Sequence, residues 1–442
     1  MSTLDTQEGL KKVIGVPGVA LTVVNSTIGA GIFALPAIIS LQIGAFGIFS
    51  YLFCALMMAA IMLCYMETGT RITTSGGSYA YVEAAFGRFP GFIINWLYFF
   101  GWGILGSAAV LNIFADSLSV LFPVLSNSLM RALLFFLVLG FMVVLNIRGA
   151  KESVWVLKFI TIFKLLPLVA IIIFGFAQVK AANLHLAHLP PLKTFGDTAL
   201  ILFFAFANFE TSLSVSGELK DPKRTVPRGI FLGGMLVLIV YLLVQTVTQG
   251  ILGSDMAAFK DAPLAAVAEK IIGPIGGTIL LITAAISCFG NVSGDILGTP
   301  RLLFAGAKDG IFPKVLAKVH PRFATPHWAV IIYSTLIFIF SVTGGFKQLA
   351  VLASAAILLV YLGVILASIK LRTVPQETEE QTFRMPGGLI IPLFGIACIV
   401  WLLSGLSKLE IIASLIYLAA ICLIYLIMKG IKGKKTGLAP LK

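Results

Sequence analysis

Apolar residues run along this chain in long blocks separated by short polar breaks. A block of about 20 residues, coiled at about 1.5 Å per residue, crosses about 30 Å of hydrocarbon. The pattern predicts twelve membrane-spanning helices, near 13–40, 44–69, 90–121, 128–147, 153–179, 195–217, 229–252, 272–300, 327–343, 347–371, 388–405 and 409–428. A membrane barrel would instead alternate polar and apolar residues over ten-residue segments. The expected class is an all-α polytopic membrane protein. Composition agrees: of 442 residues, 59% are hydrophobic and only 12% charged, against about 25% charged in a soluble domain. Asp5 and Glu8 make the first block unlike a basic secretory leader.

The net charge of +13 does not point to nucleic acid, because its distribution follows the spans. With the amino terminus placed in the cytoplasm, most Lys and Arg fall on the cytoplasmic side, in the segments after spans 2, 4, 6, 8 and 10 and in both tails. The opposite side holds only Arg131, Lys180, Lys193, Lys260, Lys270, Lys347 and Lys408. That asymmetry is the positive-inside rule, so both termini are expected in the cytoplasm. A bacterial inner membrane suits the short tails and loops.

Several chemistries drop out. The loops are too short for a nucleotide-binding domain, and the tail KGIKGKKTG has Met428 where a phosphate loop needs its first glycine. Gly29-Ala30-Gly31-Ile32-Phe33-Ala34 fits a dinucleotide pattern but has no strand before it. Cys54, Cys64, Cys288, Cys398 and Cys422 all lie in spans without metal-ligand spacing, and His185 with His188 lacks a third ligand. No cofactor, metal or nucleic acid is expected. Neither H-E-x-x-H nor G-x-S-x-G occurs, which argues against an intramembrane enzyme.

The informative positions are polar groups inside the apolar blocks. The first span carries Asn25-Ser26-Thr27-Ile28-Gly29-Ala30-Gly31 and then Pro36 near its midpoint, all residues that weaken a helix. Paired glycines alone would suit close helix packing. With Ser26, Thr27 and Pro36 beside them they predict an unwound segment. Such a break bares amides at the start of one half-helix, which attract a carboxylate, and carbonyls at the end of the other, which attract an ammonium group. The sixth span offers a second interruption, with Asn208 and Glu210 in Phe203-Phe204-Ala205-Phe206-Ala207-Asn208-Phe209-Glu210. Two more ionisable residues lie deep. Lys164 is 12 residues past Glu152 and Asp295 is 13 residues before Lys308, hence about 18 and 20 Å from the cytoplasmic ends. Similar depths predict an ion pair between them that links the first-helix break to spans 5 and 8 and serves as a candidate route for proton coupling.

These stretches resemble the amino acid–polyamine–organocation superfamily of permeases over essentially the whole chain. IGAGIFALP is similar to its first-helix signature, ETGTRITTSGGSYAYVEAAFG to the second helix and the loop after it, and NIRGAKESVWVLKFITIFKLLPL to the start of the fifth helix. FANFETSLSVSGELKDPKRTVPRGI resembles the sixth helix with its exit, and SCFGNVSGDILGTPRLLFAGAKDGIFPKVLAKVHPRFATP the eighth helix and the loop after it. The resemblance implies two inverted five-helix repeats, 13–180 and 194–372, a helix pair at 385–428, and cytoplasmic tails at 1–12 and 429–442. It also implies helices 1 and 6 unwound at the midplane. A substrate α-carboxylate would sit on the amides of Gly29, Ala30 and Gly31 beside Ser26 and Thr27. The α-ammonium would meet carbonyls of that break and of Ala205 to Ala207. Phe204 and Phe206 would lie beside the substrate. Lys164 matches a family lysine whose amine stands where sodium-coupled relatives hold their ion, which argues against sodium there. Two positions depart from the family: Asp295 replaces a small hydroxyl residue, and Asn208 replaces a glycine.

The expected function is secondary transport of amino acids by alternating access, with a proton as candidate coupling ion through Lys164, Asp295 and Glu210, in contact with membrane lipids. Neutral substrates are expected, because no charged residue falls among the contacts in the first helix or at Ala205 to Asn208. The alternatives are an exchanger without ion coupling and, further off, an ion channel.

Overall fold

The computed structural model describes residues 15–72, 77–148, 153–186, 189–210, 222–308, 310, 312–373 and 383–435. Glu152, His188, Thr211 and Ser212 lie outside them, as do the Lys158 side chain and both tails beyond these limits. The described chain is helical with no strand, and helix occurs in each of the twelve blocks that hydropathy picks out. In chain order the helices are α1 (Val16–Thr27), α2 (Gly31–Ile43), α3 (Gly47–Arg71), α4 (Ser78–Phe86), α5 (Arg88–Trp96), α6 (Leu105–Leu121), α7 (Ser128–Arg148) and α8 (Ser153–Gly175). They continue with α9 (Leu192–Phe206), α10 (Pro222–Leu252), α11 (Pro263–Ile272), α12 (Pro274–Lys308), α13 (His327–Thr343), α14 (Phe346–Leu371), α15 (Ile390–Ser404) and α16 (Lys408–Lys435). Among the described residues seven helical stretches are long and apolar enough to cross a membrane unaided, so the chain is a multi-pass membrane protein. A π-helical turn, Leu97–Ile104, joins α5 to α6.

The first block is two helices, not one. α1 has 12 residues and α2 has 13, so each advances only about 18–20 Å and neither reaches across hydrocarbon alone. Pro36 does not cause the break. It lies inside α2, five residues past its start, while the unwinding occupies Ile28 to Ala30.

α14 is the most buried of the long helices and packs against α3, α4, α6 and α9, whereas α7 and α16 are largely exposed. The exposed surface of α16 is apolar, with Leu409, Leu415, Ile416 and Leu426 pointing outward, as a lipid-facing helix requires. α10 braces α1 through two glycines. A methyl on Gly229 would sit 2.5 Å from Val19 Cβ, and one on Gly233 would sit 2.7 Å from Val23 Cβ. Their spacing lets the two backbones touch, which fixes the half-helix that ends at the break. Glu67, 2% exposed, accepts from two of the guanidinium nitrogens of Arg372 at 2.9 and 2.6 Å. This bidentate pair, with Arg71 3.4 Å away, ties α3 to the end of α14.

Candidate functional site

The break in the first block is stabilised by specific partners. Ile28 leaves helical geometry at ψ 86°, and Gly29 N–H turns back to Thr27 O at 2.8 Å. The end of α1 thereby exposes carbonyls, which in hydrocarbon need donors. Lys164 supplies them. From α8, and 6% exposed, its ammonium donates to Asn25 O at 2.8 Å and Ile28 O at 2.7 Å. Tyr241 of α10 places its hydroxyl 3.0 Å from Thr27 O and 2.8 Å from Ala205 O, its single proton shared between them. Thr27 O therefore has two donors, the Gly29 N–H and the Tyr241 hydroxyl. One phenol thus joins the end of α1 to the last turn of α9.

α9 stops at Phe206. Ala207 is extended, and Asn208 has φ 83°, one of two positive-φ residues other than glycine among those described. Left-handed backbone favours glycine and tolerates asparagine best among the rest. This is the physical reason that asparagine can stand where the resemblance leads one to expect glycine. The second interruption is therefore present up to Glu210; residues 211–221 lie outside the described part of the chain.

Both interruptions face one cavity of about 390 Å³. Ser26, Thr27, Gly29, Ala30, Gly31, Phe204, Ala205, Ala207, Asn208, Lys164 and Asp295 all line it, so the structure brings together most of the residues picked from sequence. The start of α2 leaves its first amides, near Gly31, without intrahelical acceptors. A carboxylate can bind there. Ser26 Oγ donates back to Val23 O at 3.1 Å, and Thr27 Oγ1 is buried with no partner.

Two expectations are corrected. Phe206 is not on the cavity wall; it packs into the protein against Tyr241 and Tyr51, with ring centroids 5.2 and 6.2 Å away. Side chains two positions apart on a helix diverge by about 200°, so Phe204 and Phe206 cannot both face the cavity. Glu210 is also off the wall, buried behind it where it accepts from Tyr361 at 2.7 Å. Lys164 and Asp295 share the cavity but form no ion pair. The lysine is spent on backbone carbonyls, and Asp295 accepts from Ser107, Tyr333 and Thr299. Carbonyl acceptors meet the lysine and hydroxyl donors meet the aspartate, so each buried polar group is satisfied without contact between the two.

A family model described as "Amino acid permease" matches residues 14–430. The chain belongs to the amino acid permease family. It is 28% identical over 401 residues to a serine/threonine exchanger of Bacillus subtilis strain 168, covering 88% of this permease and 90% of the exchanger. It is 27% identical over 414 residues to a branched-chain amino acid permease of Lactococcus lactis subsp. cremoris, covering 87% of each. A mouse Asc-type amino acid transporter 1 is 29% identical over 349 residues, which are 73% of this chain but only 63% of the mouse protein.

Sequence reasoning missed part of the permease's cavity. The π-helical turn supplies Tyr98, Phe99 and Trp102. α12 supplies Ser287, Asn291 and Thr299 in addition to Asp295. The second set was legible: Ser287, Asn291, Asp295 and Thr299 recur every four residues, with Gly290, Gly294 and Gly298 between them, and so form one polar face on a helix. The π turn leaves no such trace.

The correction at Phe206 has a measurable consequence. Phe204 touches Trp102 and Phe346, with centroids 5.4 and 5.8 Å away. Phe204→Leu is expected to weaken amino acid binding about tenfold, the worth of one aromatic contact. Phe206→Leu should lower the unfolding temperature and leave affinity within about threefold. Equal affinity losses, measured by calorimetry, would put both rings in the site.

Proposed function

We propose that this permease is a secondary transporter that moves neutral amino acids across the cell membrane by alternating access. The observation that carries the reading is one cavity bounded by two interrupted helices, with helix-start amides on one side and carbonyls on the other. A zwitterion has both charges those groups need. The neutral class is supported by the balance of charge on the wall, where Lys164 and Asp295 cancel. The names of the relatives agree: serine and threonine for one, branched-chain amino acids for another.

In this reading the chain crosses the membrane twelve times, with both termini in the cytoplasm as the Lys and Arg asymmetry requires. Residues 13–180 and 194–372 form two inverted repeats, each opening on an interrupted helix, and 385–428 adds a helix pair. The Lys164 ammonium sits on the carbonyls of Asn25 and Ile28 that a sodium ion would need, so sodium is not the coupling ion at that place. Protons acting through Lys164, Asp295 and the nearby Glu210 supply the coupling.

A second reading is exchange without ion coupling. It is favoured by the separation of Lys164 from Asp295, which leaves no direct relay between them, and by the exchanger among the relatives. Uptake of labelled amino acids into proteoliposomes separates the two. Proton coupling gives accumulation in empty vesicles under an acid-outside gradient; exchange gives uptake only into preloaded vesicles. Absence of saturable uptake for all twenty amino acids under both conditions would refute transport altogether.

A further inference from the structure

Asp295 is an acidic residue at a wall position where the permease resemblance leads one to expect a small hydroxyl, and its hydrogen bonding is incomplete. Its Oδ2 accepts from Ser107 Oγ at 2.5 Å and from Tyr333 Oη at 2.6 Å, and its Oδ1 accepts from Thr299 Oγ1 at 2.6 Å. A carboxylate offers about four acceptor sites, two on each oxygen. Three are filled. The fourth belongs to Oδ1, on a side chain that is only half-buried because it lines the cavity. No cation pairs with Asp295 among the described residues.

Its distance from the first-helix break is set by α12. A methyl on Gly29 would lie 3.0 Å from Asn291 Nδ2, so Asn291 abuts the break. Asp295 comes one turn later, about 6 Å along the helix. A hydroxyl on the β-carbon of a bound amino acid projects about 2.4 Å from its α-carbon, and a hydrogen bond adds about 2.7 Å. The sum is close to one turn.

We propose that Asp295 selects the substrate's side chain: its free acceptor site takes a hydrogen bond from a short side-chain hydroxyl or amide, and aliphatic isosteres are disfavoured. The inference rests on the amino acid transport reading and names the class within it. An aliphatic side chain against Asp295 displaces water from a charged acceptor without replacing its bond, which is the larger cost. Ser287 adds a second opening for a donor or acceptor, since its buried hydroxyl on the same wall has no partner. The alternative is that Asp295 only ties α6, α12 and α13 together.

The test compares near-isosteric pairs on the purified full chain by titration calorimetry: L-threonine against L-valine, and L-serine against L-2-aminobutyrate. The hydroxyl member of each pair is expected to bind at least about tenfold tighter, the size of a hydrogen bond to a charged group. In Asp295→Asn that ratio should fall to within about threefold. A purely structural tie would change stability without changing the ratio. Near-equal binding within each pair in the unmodified protein overturns the assignment and needs no variant to fold. An unchanged ratio in folded Asp295→Asn overturns it as well. Failure of every amino acid to bind would instead overturn the transport reading.

Discussion

Gly31→Leu is expected to reduce amino acid affinity by about 100-fold or more. The first amides of α2 are the carboxylate's place in the proposed complex, and each hydrogen bond to a charged group contributes about 1.5–3 kcal/mol. Losing one or two such bonds corresponds to roughly that factor. The space is already tight: a methyl at Gly31 would stand 3.1 Å from Leu35 Cδ1, 3.4 Å from Ala205 Cβ and 3.6 Å from Phe204 Cδ1. A methyl alone presses on its neighbours, and three further carbons must extend into the cavity or displace Phe204. Gly298 is the control. It lines the same cavity, but a methyl there meets nothing within 4 Å, so Gly298→Ala should bind substrate nearly as well as the parent. Calorimetry on folded protein checks both. Wild-type affinity in Gly31→Leu would mean that the substrate does not use the α2 terminus.

Lys164→Met should abolish transport, with uptake down by about 100-fold or more, and lower the unfolding temperature. Methionine keeps the length and apolar stem of lysine, so packing along α8 is largely preserved. What goes is the ammonium that donates at 2.8 and 2.7 Å to Asn25 O and Ile28 O. An unpaired carbonyl in hydrocarbon costs several kcal/mol, and the segment can avoid that cost by rewinding toward continuous helix or admitting water. Either response destroys the carboxylate site a few residues on. Proteoliposome uptake and thermal unfolding of the same preparation provide the check. Normal uptake by Lys164→Met would show that the break holds itself open without the lysine.

The two variants reach the site by different routes, and their pattern separates them. Gly31→Leu occupies the cavity and should spare stability apart from local overpacking of about 1–3 kcal/mol. Lys164→Met leaves the cavity's volume alone and removes what keeps its wall unwound.

How much of this was legible without coordinates depends on the kind of interaction involved. The helical blocks, their expected orientation in the bilayer and the break before Gly31 are local or one-dimensional properties. Length and hydropathy set the first, charge asymmetry the second, and a run of poor helix formers the third. The asparagine at 208 was visible as a departure; that it sits at φ 83° was not. Contacts between distant helices were the least accessible. Hydropathy cannot orient a membrane helix about its own axis, because a face turned to lipid and a face turned to the protein interior are equally apolar. Phe204 and Phe206 read alike in sequence, yet only Phe204 lines the cavity.

The order of residues was enough to establish a helical membrane protein of the permease family whose first span is interrupted. Packing was needed to establish what holds that interruption open and what lines the cavity beside it. Lys164 was expected to meet Asp295 because both lie deep. The folded bundle instead sets the lysine against α1 carbonyls and gives the aspartate Ser107, Tyr333 and Thr299. The reason is that depth along a helix comes from residue count, whereas a partner also requires the right rotation and a shared interface. Those are fixed only when the helices pack.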